Sequence, residues 1–257
     1  MELLKKFLLL TPVFILGLCM ASCSDDDDEG GGGGKGKDLK LSEVTFAGGG
    51  RYSISYDSDG RMIGYEYYEG GVLDRIAVFR NGSGSITVNV TGSGGYSDNV
   101  VYELNGDGYI ERMEDMDDGG IVRFKYDDGQ RLAEASFIDS YGSSTERFTW
   151  ENGNLVKVSA IDDDGRTEEW TYEYNDEPSW KGVVYWDDAL LDISIPQAHF
   201  NFLANMGYLG KLPANLVSGY RDEDSSMTYS LSYRFGSDGY VSEILSGGVT
   251  GAMFTWK

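Results

Sequence analysis

The chain has 257 residues, with 36 glycines, 13% aromatic residues and 43 acidic against 21 basic side chains, for a formal charge of −22. Such a charge offers no basic patch to a nucleic-acid backbone or to anionic lipid headgroups, and it favours solubility. Two cysteines and one histidine leave no basis for a disulfide framework or a zinc centre.

The N-terminus reads as an export signal. Lys5 and Lys6 form a short positive region, and Leu8 to Met20 is apolar except for Thr11, Pro12 and Gly17. Ala21 and Ser22 are the small residues expected before a cut, and the apolar run is short for a membrane span. Met20-Ala21-Ser22-Cys23 resembles the cleavage site of bacterial lipoproteins. That resemblance implies removal of residues 1–22, acylation of Cys23 and membrane attachment through the lipid; several acyl chains together give stable anchoring. Ser24 and the run Asp25 to Glu29 follow, and the run resembles the surface-export signal of lipoproteins from some gut-dwelling Gram-negative bacteria. The expected location is the outer membrane, lipid-anchored and exposed at the cell surface. A plain solvated spacer is the other reading of the acidic run.

Residues 23–37 form an acidic, glycine-rich tether with a reach of roughly 20 Å. After processing the charge becomes −23, and residues 38–257 carry no thiol for a disulfide, a metal or catalysis. That stretch is long enough for a single β-rich domain.

Residues 38–180 read as hairpin repeats. Asp-Gly recurs at Asp59-Gly60, Asp107-Gly108, Asp118-Gly119, Asp128-Gly129, Asp164-Gly165 and Asp238-Gly239. Asn-Gly recurs at Asn81-Gly82, Asn105-Gly106 and Asn152-Gly153. Both pairs tolerate the positive φ that tight hairpins demand. Ile54, Val78, Tyr102, Tyr126, Trp150 and Tyr174 are spaced by 24 residues, as are Gly60, Gly84 and Gly108. Phe124, Phe148 and Tyr172 share a sheet face with Tyr126, Trp150 and Tyr174; Arg123, Lys125, Arg147 and Glu173 face the other way.

The pattern slips after Pro178. Val183 to Trp186 reads as a strand, and Pro196 to Met206 as a helix stopped by Gly207. Four strands are expected near 216–222, 227–235, 240–246 and 251–256. The expected fold is all-β with minor α: a long antiparallel meander of roughly 24-residue hairpin repeats. It should curl into a rolled sheet or an incomplete barrel around its aromatic face, with one helix near 196–206 capping or plugging it.

Tyr56-Asp57-Ser58-Asp59-Gly60-Arg61-Met62 and Tyr126-Asp127-Asp128-Gly129-Gln130-Arg131-Leu132 resemble the core of YD (Rhs-like) repeats, Tyr-Asp-x-x-Gly-Arg-Leu. The first has Met for Leu, and the second carries its glycine one place early. The layout over most of residues 42–257 is similar to surface lipoproteins of unknown function with YD-like hairpins. That resemblance implies architecture and brings no catalytic residues.

Candidate chemistry is sparse. Asp57-Ser58-Asp59-Gly60, Asn105-Gly106-Asp107-Gly108 and Asp162-Asp163-Asp164-Gly165 lack the length and closing Glu of a calcium loop, and turn chemistry accounts for them. Glu168, Glu169 and Glu173 share a strand and read as solvated neighbours rather than a glycosidase pair. His199 stands among Phe200, Phe202 and Leu203 and reads as a packed helical side chain. Neither cofactor, metal site nor catalytic residue is assigned. Trp180, Tyr185 and Trp186, where the repeat breaks, are the candidate ligand-binding residues. The expected function is a non-enzymatic surface module that binds a glycan or an outer-membrane protein partner, and not nucleic acid. A carbohydrate-active hydrolase and a scaffold subunit of an outer-membrane complex are the alternatives.

Overall fold

A computed structural model describes residues 39–117, 119–140, 142–182, 202–223 and 226–257. Cys23, the tether, Tyr185, Trp186, His199 and the strand expected at Val183 to Trp186 lie outside the described residues.

Among the described residues, sixteen strands follow the chain as a meander. They are β1 (Leu41–Phe46), β2 (Arg51–Tyr56), β3 (Met62–Glu69), β4 (Val72–Asn81), β5 (Ser85–Gly92), β6 (Ser97–Leu104), β7 (Ile110–Asp115) and β8 (Ile121–Tyr126). The second half comprises β9 (Leu132–Ile138), β10 (Ser143–Glu151), β11 (Asn154–Asp162), β12 (Thr167–Pro178), β13 (Asn215–Asp222), β14 (Thr228–Phe235), β15 (Val241–Ser246) and β16 (Val249–Trp256). Each pairs antiparallel with its neighbour, and β1 pairs with β16 through Val44–Phe254 and Phe46–Ala252. The barrel is therefore closed, which corrects the expected rolled sheet or incomplete barrel. An open sheet would leave two rows of unpaired N–H and C=O groups, and closure removes both.

The turns fold as their residues dictate. Gly60, Gly84 and Gly108 lie at φ +82°, +78° and +85°, and the residues two places on, Met62, Ile86 and Ile110, are buried. In the turn between β8 and β9 the early glycine has its consequence: the positive φ, +63°, falls on Gln130. Asp57 saturates its own turn, accepting from the Asp59 and Arg61 amides through Oδ1 and from Arg61 Nε through Oδ2. This Asp-rich turn is closed by its own donors, in line with turn chemistry.

Inward positions are apolar: Val44, Val88, Val100, Tyr102, Met113, Val122, Phe124, Phe148, Trp170 and Tyr172 are all buried in one core. Many outward positions carry charge, while β4 sets Ile76 and Val78 outward. Arg51 meets Glu43, Arg112 meets Glu103, Lys125 and Arg147 meet Glu134, Lys157 meets Glu169, and Arg234 meets Glu243. A lipid-facing barrel carries the opposite pattern, an apolar outer band around a polar interior, and an Arg or Lys on that band costs about 2–4 kcal/mol at mid-membrane. The charged pairs on this outer face suit contact with water.

A sixteen-strand barrel is wide enough to hold an aqueous channel. Here the connection between β12 and β13 helps fill it. Residues 202–205 are helical, and Phe202, Leu203, Ala204 and Leu209 are buried within the core. Phe202 packs on Tyr52 and Tyr65 at centroid distances of 5.5 and 5.3 Å. The helix stops at Gly207 (φ +85°): the Tyr208 amide donates to the Leu203 carbonyl and the Gly207 amide to that of Ala204. The described part of the expected helix thus plugs the barrel; its residues 196–201 lie outside the described residues.

The start of β1, the end of β16 and the loops that follow even-numbered strands share one rim, here the terminal rim; loops after odd-numbered strands form the distal rim. The plug is stitched across the terminal rim. The Ile110 amide donates to the Tyr208 carbonyl, the Lys211 amide to that of Gln130, the Ala214 amide to that of Gly153 and the Ser179 amide to that of Ala214.

Candidate functional site

The terminal rim holds a cavity of about 540 Å³. Its lining comes from the start of β1, the end of β16 and both ends of the β12–β13 connection. Leu39, Lys40 and Leu41 enter from the start of β1, Trp256 from the last strand, Tyr56, Gly60 and Met62 from the first repeat, and Ser179, Trp180 and Gly182 from the residues after β12. Phe202, Asn205, Met206 and Leu212 of the plug and Tyr240 complete it.

Each ring is held by a local reason. The Trp256 indole donates to the Val241 carbonyl at 2.7 Å, and the Tyr56 hydroxyl donates to the Leu41 carbonyl at 2.8 Å. Burial pushes the Tyr56 phenol up to about 12, so it remains a donor at any physiological pH. Tyr240 leaves a turn in which its amide donates to Asp238 Oδ1 and its carbonyl accepts from Gly236. Trp180 lies on a 3-10 turn, Ser179–Lys181, that ends where the Gly182 amide donates to the Ser179 carbonyl. A Cβ on Gly182 would stand 2.8 Å from a Val241 methyl, which is why the chain has glycine there.

The rings form a continuous surface. Trp180 meets Tyr240 edge-on at 6.1 Å, and Tyr240 meets Trp256 at 4.9 Å, tilted by 39°. Trp180 is 65% exposed, unlike the inward rings of the repeats. Lys40 sits over the Tyr56 ring at 5.4 Å and is the one charged side chain among the described lining residues. The structure thus seats Trp180 in a ring cluster with Tyr240 and Trp256, two partners that the sequence reading did not single out. Their signal was available: Tyr240 follows the Asp238-Gly239 turn, and Trp256 is the last aromatic of the chain.

A second feature lies at the distal rim. Asp98, the second residue of β6, takes an inward position, where its successors on the same face are Val100 and Tyr102. Asp115 closes β7 opposite Val100, and Asp117 lies in the turn beyond. One carboxylate oxygen from each of the three lies within 4.8 Å of one from each other. Burial first, then the charges of Asp115 and Asp117, push the Asp98 carboxyl up to about 6. The sequence reading missed this group. Its signal was a single acid at an apolar phase of a strand.

Glu168, Glu169 and Glu173 do not converge on a site: Glu169 pairs with Lys157 at 2.6 Å, and Glu173 lies across from Gly219 on the outer wall.

Comparison with known proteins agrees with the architecture. No curated protein matches the chain. A porin-like protein from Bacteroides uniformis ATCC 8492 superposes with a TM-score of 0.65 at 15% identity, covering 84% of this chain and 98% of its own. A porin-like protein from Bacteroides vulgatus ATCC 8482 gives 0.56 at 14% identity, covering 84% and 97%. At those identities the likeness is one of fold. The family model that matches spans residues 54–243, nearly the whole barrel. The chain belongs to the DUF4595 family, a domain of unknown function with a porin-like fold.

Proposed function

We propose that this protein is a lipid-anchored lipoprotein of the outer-membrane surface, attached through Cys23, whose barrel is a non-enzymatic binding module for a glycan or a partner protein. YD-like hairpins serve it as scaffold. The aromatic cavity is the binding site, with Trp180 at its mouth, and a glycan is the ligand class its chemistry favours. Sugar rings present C–H faces that stack on exposed indoles and phenols, and pockets of a few hundred cubic ångström with few polar groups suit small ligands.

The observation that carries this reading is the ring row Trp180–Tyr240–Trp256, with Trp180 exposed, on a cavity of about 540 Å³. The charged outer wall supports a water-exposed barrel carried by an anchor.

A glycan-array screen of the full chain tests the site. Saturable binding to a glycan class, weakened at least about tenfold in Trp180→Ala, is the expected result. Absence of any glycan signal, or binding indifferent to Trp180→Ala, removes the proposal for this cavity. Location has its own test: protease shaving of intact cells should remove the domain, and full protection would overturn surface exposure.

A further inference from the structure

We propose that Asp98, Asp115 and Asp117 form a binding site for a hard divalent cation of the calcium class. The site lies at the distal rim, opposite the aromatic cavity, and stands independently of the function proposed there.

Three observations converge. The three carboxylates come from two adjacent strands and the turn after them, and each contributes an oxygen within 4.8 Å of the others. That spacing suits oxygens sharing one ion: Ca²⁺ binds its ligands at about 2.3–2.6 Å, so two ligand oxygens are separated by at most roughly twice that. Asp98 is only 5% exposed, and its Oδ2 is buried with no hydrogen-bond partner among the described residues. A buried carboxylate oxygen left unpaired costs free energy that a cation would recover. Neither Asp98 nor Asp117 is in an ion pair with a described Lys or Arg, in contrast to the acids of the outer wall.

The surroundings hold the ligands in place. Asn99 Nδ2 donates to Asp117 at 3.2 Å, and Asn99 Oδ1 accepts from Asn89 Nδ2 at 2.5 Å. The Asp117 amide donates to Asp115 Oδ1 at 2.8 Å, and the Met116 amide to the Asn99 carbonyl at 2.8 Å, tying the turn after β7 to β6. Three carboxylates with water completing the shell is an oxygen-only set. It suits Ca²⁺ and offers nothing to metals that prefer nitrogen or sulfur. Asp98 and Asp115 point inward at the rim, so a bound ion would tie β6 to β7 there.

Calorimetric titration of Ca²⁺ into the chelator-treated full chain tests the site, with thermal unfolding alongside. The expected result is saturable one-to-one binding and an upward shift of the unfolding midpoint in Ca²⁺. Asp117 is exposed, so Asp117→Asn should fold and bind at least about tenfold more weakly; Asp98→Asn should lose binding. Asp59→Asn, in an Arg-closed turn at the other rim, should bind as the parent does. Absence of saturable binding at millimolar Ca²⁺ overturns the proposal. So does unchanged affinity in Asp117→Asn, or an equal loss in Asp59→Asn, which would mark a general charge effect.

Discussion

Trp150 Nε1 donates a 2.7 Å hydrogen bond to the carbonyl oxygen of Leu132, beyond the point where the ladder between β9 and β10 has ended. That ladder stops at Glu134–Arg147, with Glu134 two residues after Leu132 on one strand and Arg147 three short of Trp150 on the other. The same offsets recur where Tyr56 reaches Leu41, Tyr126 reaches Ile110, Tyr174 reaches Leu155, Tyr233 reaches Val217 and Trp256 reaches Val241. Asn81 does the same for Met62. Each odd-numbered strand involved carries a one-residue bulge against its other neighbour, as at Lys125/Tyr126 facing Glu134/Leu132. The bulge bends the strand and ends its pairing on the far side, and a side-chain donor takes over the freed carbonyl. Among the odd-numbered strands only β5 has no bulge, and its ladder with β6 runs on to the Leu104 amide on the Gly84 carbonyl.

Removing one such donor while keeping the ring should therefore destabilise the terminal rim. Tyr174→Phe and Tyr126→Phe each leave a half-buried carbonyl without its partner, at a cost of about 1–2 kcal/mol. Tyr109→Phe, which removes an exposed hydroxyl that donates to Gln130, should cost less. Denaturant midpoints at constant m-value separate the two classes. Equal, negligible losses would show that water replaces the clasp.

Gln130 holds a left-handed backbone where the equivalent turns have Gly60 and Gly108. The conformation costs a non-glycine residue about 1–2 kcal/mol, and glycine's greater freedom in the unfolded chain returns about 0.5–1 of that. Gln130→Gly should thus stabilise by about 0.5–1 kcal/mol, although it also removes the acceptor of the Tyr109 hydroxyl. A lower unfolding midpoint would show that this hydrogen bond outweighs the strain.

The plug depends on a close approach. A Cβ on Gly210 would stand 2.4 Å from the Gln130 carbonyl oxygen and 3.1 Å from the Tyr126 ring, at a φ of +80°. Gly210→Ala should cost about 2–4 kcal/mol by combining overpacking with backbone strain. Hydrogen exchange should locate the damage, with the amides of Lys211 and Ala214 losing protection before those of β5 and β6. Uniform loss across the barrel would mean that plug and wall unfold together.

Much of this architecture was legible in the residues. The aromatic phase Phe124, Phe148 and Tyr172 is the buried face, and Arg123, Lys125 and Arg147 stand outside as the alternation predicts. The last four strands begin and end within two residues of expectation. The 24-residue count misled at its early members. Ile54 is an inward core residue and Val78 an outward one, whereas the structural counterparts of Tyr126 are Tyr56 and Asn81. Bulges add a residue to one strand of a pair and not to the other, so constant spacing does not preserve role. Closure was not legible because the β1–β16 pairing joins the two ends of the barrel and has no local signature. The acidic cluster needed the β6–β7 register, which brings Asp115 opposite Val100; sequence adjacency alone leaves Asp98 far from it.

The outer wall gives a last expectation, in acid. The Lys125 ammonium, hydrogen-bonded to Glu134, holds that carboxyl below its ordinary 4.5, and Arg147 adds to the effect. A folded-state value below the unfolded one means the unfolded chain takes up the proton first. The contribution of Glu134 is then fully present above the unfolded value near 4.5 and is lost as the pH falls through the lower folded value. Glu134→Gln should accordingly flatten the stability curve over that interval, bringing mutant and parent together at the acid end and leaving the parent more stable near neutrality. Raising the salt should narrow the neutral gap, because the pair is partly exposed to solvent. Denaturant midpoints of the two proteins across roughly pH 3–7 measure it, and a gap that widens in acid would reverse the sign and remove the ion pair as its cause.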